Sequence, residues 1–245
     1  MEVDRMLTGR ARRALVEAAV LYAVYLVYRS ARAHLRATPH AALHNARQVI
    51  GMERTAHLFH EARVQSWFLH WSPIVRAWDV YYGGLHFAVP IVAFIVLWRR
   101  DRARYRFFRN VFGWMLLLGL VGFAVYPVTP PRLLAPSYRF VDTGRTVGGI
   151  GAVGGAEGNG GGNPYAAMPS LHLGWSTWCV VALLPVVRRR WLRVALVLHP
   201  LLMLTAVVVT ANHYILDGVG GVLAFAGAFA LAAAASRIAT RLRSP

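Results

Sequence analysis

A chain of 245 residues has room for one large domain or two small ones. With 57% hydrophobic residues, only 15% charged ones and a mean hydropathy of +0.43, it is no ordinary soluble globule. All 27 basic residues are arginine, against 10 acidic ones, so any mechanism that needs a lysine is excluded. The net charge of +17 would suit a nucleic-acid binder, but the arginines come in short bursts between apolar runs rather than on one solvated face, which is the pattern of a polytopic membrane protein.

In chain order, the first apolar run covers residues 14–28 and contains Glu17. Arg29 and Arg32 follow it, not a small-residue cleavage site, so it reads as a retained helix rather than a signal peptide. Residues 38–71 are too polar to span. They mix Val49, Ile50, Met52, Leu58, Phe59, Phe68 and Leu69 with charges, as helices lying along a membrane surface do. Two spans follow, over 80–98 and 111–127. A long connection over 128–165 then carries ten glycines between Gly144 and Gly162, whose backbone entropy argues for a mobile segment. Three more spans cover 166–187, 194–212 and 218–236; about 20 apolar residues cross a bilayer. Cys179, the single cysteine, lies in one of these runs, which leaves no disulfide within the chain and no Cys-based zinc site.

The expectation is an all-α polytopic bundle of six transmembrane helices. It forms one integral membrane domain over 1–245, with interfacial helices at 38–71 and a Gly-rich extracytoplasmic loop at 128–165. Arginine bursts flank the spans at 5–13, 99–109, 188–193 and 237–243. If all four lie inside, both termini are cytoplasmic in a plasma (inner) membrane, and the platform, the long loop and the fifth-to-sixth turn face outward.

Three polar clusters then share the outer side: Tyr126-Pro-Val-Thr-Pro-Pro-Arg132, Ala167-Met-Pro-Ser-Leu-His172 and Asn212-His-Tyr-Ile-Leu-Asp217. In the second, Pro169 suits a helix start and Ser170 can cap or line the first turn, where free amides favour an anion beside His172. In the third, His213 and Asp217 stand one helical turn apart, so the carboxylate can hold one imidazole nitrogen and present the other as a lone pair. Arg132 offers a guanidinium fork suited to phosphate oxygens.

Pro-Ser-Leu-His and His-Tyr-Ile-Leu-Asp resemble the second and third signature motifs of the PAP2 (type 2 phosphatidic acid phosphatase) superfamily. Pro130-Pro131-Arg132, the leucine before His172 and the His-Tyr after Asn212 look like its inositol-phosphotransferase branch, which includes inositol phosphorylceramide synthases. The lysine-containing first motif is absent, and Val207 stands where the third motif has an arginine. The resemblance implies a phosphoryl transfer with no cofactor and no metal. His213 attacks phosphorus and Asp217 steadies the imidazolium. His172 protonates the leaving oxygen, and Arg132 and Ser170 bind the phosphate, with Arg139 and Arg145 as further candidates. It also implies a phosphorylated lipid substrate in the bilayer, a polar alcohol or water as acceptor, and no nucleic acid. A polyprenyl phosphate or diphosphate phosphatase is the nearest alternative, and a non-catalytic lipid transporter or membrane scaffold the rival from another class.

Other signals carry less. Gly149-Ile-Gly-Ala-Val-Gly154 fits a dinucleotide string, but no strand precedes it. The histidines at 34, 40, 44, 57, 60 and 70 follow no ligand spacing. His86, Asp79 and His199 stand in or near apolar spans and are either functional or helix-to-helix hydrogen-bonding groups. Glu53, Glu61 and Gln65 resemble a recurrent feature of the same branch, with no role assigned.

Overall fold

A computed structural model describes residues 2–147 and 163–242 and places them in helices and connecting turns, with no strand among the described residues. In chain order these helices are α1 (Glu2–His34), α2 (Pro39–Thr55), α3 (Glu61–Leu69), α4 (Ser72–Val80), α5 (His86–Arg100), α6 (Arg102–Val125), α7 (Thr143–Thr146), α8 (Leu171–Leu183), α9 (Arg190–Val209) and α10 (Ile215–Arg241). A wide π turn, Tyr81–Leu85, joins α4 to α5 without a break. Five stretches are long and apolar enough to cross a membrane: Ala11–His34, Ser72–Arg100, Arg102–Val125, Arg190–Val209 and Ile215–Arg241.

The expected span over 166–187 is the exception. Only the 13 residues of α8 are helical there, about 20 Å at 1.5 Å per residue, short of a hydrocarbon core of about 30 Å. The described residues thus hold five helices of full spanning length, and the shorter apolar α8 sits among α5, α6, α9 and α10. Competing backbone bonds explain the shortening. Val128 and Ala166 form a short parallel bridge, and the Ser170 amide donates to the Asp217 carbonyl at 2.8 Å, so the residues before Leu171 cannot join the helix. Pro169, expected at the helix start, precedes it by two positions.

Close packing around α8 depends on glycine. A Cβ on Gly221 would strike the Ser170 carbonyl, one on Gly122 would strike the Pro169 ring, and one on Gly174 would meet the Gly221 carbonyl at 3.0 Å. Small residues let helix backbones approach in this way where apolar driving force between helices is weak.

The arginine bursts also differ from expectation, since most of 99–109 is helix rather than loop. Their side chains finish the far end of α8. Arg104 donates to the Ala182 and Val181 carbonyls at 2.8 and 2.7 Å, and Arg100 to the Val186 carbonyl at 3.1 Å, so cations answer carbonyls with no helical partner. Glu17, which interrupts the first apolar run, accepts from Arg109 at 2.8 Å and from the Tyr105 hydroxyl at 3.0 Å, docking α1 on α6.

At the opposite end, α2 buries Ala46, Val49 and Ile50 against Val128, Ala167 and Tyr214. Gln65 of α3 exchanges two bonds with the Val141 backbone and donates to the Val209 carbonyl at 3.0 Å. Of the stretch expected to be mobile, Gly144–Thr146 instead belong to α7, where Asp142 accepts the Arg145 amide at 3.3 Å; residues 148–162 lie outside the described residues.

Candidate active site

The turn between α9 and α10 builds one half of the site. Ala211 adopts a left-handed conformation (φ 51°), its amide bonds the Val208 carbonyl, and the Asn212 amide bonds the Val207 carbonyl, both at 3.0 Å. This helix stop needs a positive φ that glycine usually supplies. It turns the chain sharply and aims Asn212 and His213 back across the bundle. Val207 itself is fully buried beside Leu173, Met203 and Tyr82, so the position that holds an arginine in the family motif is a packing position here.

His213 then meets its partners. Its Nδ1 lies 3.4 Å from Asp217 Oδ2, a charge contact rather than a short hydrogen bond, and its Nε2 lies 3.3 Å from His172 Nδ1. The carboxylate can only accept, so it favours the tautomer with hydrogen on Nδ1, which leaves Nε2 as a lone pair accepting from His172. Asp217 is fully buried and also accepts the Tyr214 amide at 3.0 Å.

His172 is held by ring stacking. Tyr82 covers one face at 4.2 Å between centroids and 20°, and His86 lies against it at 3.8 Å; His86 in turn stacks on Trp175 at 4.2 Å and 2°. Tyr82 and His86 both come from the segment around the π turn, a helical irregularity common at functional sites. His86 is thus in contact with the candidate acid, whereas His199 accepts or donates at 2.7 Å with the Tyr81 hydroxyl as a helix-to-helix link.

Ser170 is the N-cap of α8, yet its side chain makes no capping bond, contrary to one expected role, and its buried Oγ has no partner. The first-turn amides are therefore left without a side-chain acceptor. Arg132 is anchored to the α9–α10 turn: its Nε donates to Asn212 Oδ1 and its amide to the Ala211 carbonyl, each at 2.9 Å, so the loop over 126–132 is locked to the turn that carries His213. Its guanidinium acts electrostatically on Tyr82, and so does Arg32.

Arg32 is the residue that the sequence reading missed. It sits in the last turn of α1, its buried Nε has no partner, and its guanidinium lies over the Phe123 ring at 5.8 Å. One signal was available: Tyr25, Tyr28 and Arg32 share a helical face. That became useful only once α1 was known to continue past Tyr28. Arg145 pairs with Asp142 at 3.5 Å, and Arg139 adopts a left-handed conformation (φ 62°) after the short turn Pro136–Tyr138. Among the described residues, no three His, Cys, Asp or Glu side chains converge as metal ligands would.

A histidine pair backed by a buried carboxylate thus stands beside an uncapped helix start within a polytopic helical bundle. The family model of the PAP2 superfamily matches residues 47–231, and the chain belongs to that superfamily. Neither the curated proteins nor the solved structures contain a match.

Proposed function

We propose that the protein is an integral membrane enzyme that transfers a phosphoryl or phospho-headgroup from a lipid through a phosphohistidine on His213. The observation that carries this is the chain of contacts Asp217–His213–His172 at the uncapped start of α8. In the resting arrangement the two imidazoles bond each other, so substrate has to enter between them and replace that bond. His213 Nε2 then attacks phosphorus, and the imidazolium that forms is steadied by Asp217. His172, in its imidazolium form, gives a proton to the leaving oxygen and becomes neutral, and afterwards takes one from the water or alcohol that resolves the intermediate. Arg132, Arg32, Ser170 and the α8 amides face the oxygens on which charge accumulates.

Pro130-Pro131-Arg132 and the His-Tyr pair after Asn212 support the inositol-phosphotransferase-like branch, and with it an alcohol acceptor. Water as acceptor, with a polyprenyl phosphate as substrate, is the nearest alternative. The arginine-rich end of the bundle supports a cytoplasmic placement of both termini in a plasma membrane, with the site on the other side. The deciding experiment incubates the purified protein with phospholipids and polyprenyl phosphates, with and without EDTA, and follows phosphate release and headgroup exchange separately. Exchange without release, insensitive to EDTA and absent from His213→Ala, is expected. Activity retained by both His213→Ala and His172→Ala would overturn the enzyme mechanism and favour a scaffold.

A further inference from the structure

The start of α10 is crowded with carboxyl groups from three elements. The Tyr214 amide donates to Asp217 Oδ2 at 3.0 Å, the Ile215 amide to Glu61 Oε1 at 3.2 Å and the Leu216 amide to Glu53 Oε1 at 2.8 Å. Glu53, Glu61 and Asp217 are all essentially inaccessible to solvent. A helix start offers roughly half a positive charge, which cannot balance three buried anions. The carboxyl charges acting on Glu53 are those of Glu61 and Asp217. Glu53 Oε2 and Glu61 Oε2 are buried without an N–H or hydroxyl donor, yet the two side chains are within hydrogen-bonding reach of each other. A single carboxyl proton between them satisfies both oxygens and removes one charge.

We propose that Glu53 and Glu61 are positioning residues that share one proton, and that this protonated pair ties the platform helices α2 and α3 to the first turn of α10, holding His213 and Asp217 in register with His172. The inference rests on the reading of His213 as the nucleophile. Neither glutamate touches the reacting atoms; both act through the backbone of the helix that follows His213.

The proton has a measurable signature. Burial, then the hydrogen bond with Glu61, then the charges of Glu61 and Asp217 push the Glu53 carboxyl up to about 9, against the opposing effect of the Leu216 amide. The groups facing the pair are Glu61 from α3, Asp217 from α10 and Tyr214, whose phenol is itself pushed up by burial and by the three carboxyl groups. Near neutral pH the pair carries one negative charge. As pH rises through about 9 it gains a second, the two glutamates repel, and the bonds to Ile215 and Leu216 are strained apart. For stability the sign is that of a carboxyl raised by folding. Its contribution is whole below the ordinary value of 4.5, declines as pH rises and levels off above about 9.

The test is the pH dependence of kcat and KM for the full-length protein in detergent with a phosphorylated lipid, compared with Glu53→Gln. Wild type is expected to lose kcat above about pH 9. Glu53→Gln, neutral at every pH, should keep its kcat there, so the ratio of variant to wild type rises about tenfold per pH unit beyond the limb with KM little changed. A purely structural glutamate would lower kcat by the same factor throughout, and coincident alkaline limbs would overturn the proposal. Infrared spectroscopy of the wild-type protein reads the proton without activity or a variant. A carboxylic acid carbonyl band present near neutral pH and lost as pH passes about 9 supports the shared proton, and its absence near neutral pH overturns it. That readout stands apart from the phosphohistidine trap, so failure of either reading is seen separately.

Discussion

Two helices begin beside each other at the site, and they are finished in opposite ways. Where α8 begins, the N-cap Ser170 makes no side-chain capping bond, and among the described residues no carboxylate bonds the first-turn amides. Where α10 begins, three successive amides are taken by Asp217, Glu61 and Glu53. Both starts have the same unsatisfied N–H groups and the same dipole, so either could bind an anion. The protein supplies its own anions to one and leaves the other bare. In the proposed mechanism a phosphate approaches the bare start, and the filled start holds His213 in place.

The largest expected effect comes from the residue that stands between the two starts. His213→Ala removes the proposed nucleophile and should abolish turnover of every substrate. His172→Ala should lose about 10²- to 10⁴-fold with a lipid phosphate, yet be partly rescued by a nitrophenyl phosphate, whose leaving group needs no proton. Phosphate trapped on an acid-labile histidine in His172→Ala would mark His213, and label found on His172 would reverse the roles.

Next in size is the contact between the starts. Gly221→Ala drives a Cβ into the Ser170 carbonyl and forces α8 and α10 apart, an overpacking cost of about 1 to 3 kcal/mol. Thermal unfolding should shift downward and activity should fall more than stability does, because the His172–His213 spacing opens with it; an unchanged kcat would show that this spacing tolerates the movement.

Giving the bare start an anion of its own comes third. Ser170→Asp should compete with the phosphate for the α8 amides and raise KM by about 10- to 100-fold, the worth of a charge-assisted hydrogen bond, and Arg32→Gln should raise it comparably by removing one guanidinium. If Arg32→Gln left KM for a phosphorylated lipid unchanged, Arg32 would be no part of the phosphate site.

The smallest effect lies in the turn. Ala211→Gly removes the Cβ from a left-handed position and should raise stability by about 0.5 to 1 kcal/mol, read from chemical denaturation, with kcat unchanged; a loss would mean that the Ala211 methyl is needed for packing.

Composition and periodicity determined the class of this protein by themselves. Apolar runs of bilayer length must be helical, because backbone groups find no partners in hydrocarbon, and that logic located the five long helices to within a few residues at most ends. His172, His213, Asp217 and Arg132 could be named as candidates because local spacing and the order of motifs are properties of the chain, and the structure brings the first three into contact. What only the tertiary structure decided depends on residues far apart in sequence competing for the same backbone groups. The bridge from Val128 to Ala166 and the Ser170–Asp217 bond shortened the fourth apolar run to α8. Arg32 reaches the site because α1 continues beyond its apolar stretch. Glu53 and Glu61, more than 150 residues before the amides they hold, show no local pattern that would pair them with α10, since a hydrogen bond across that separation exists only once the helices have packed.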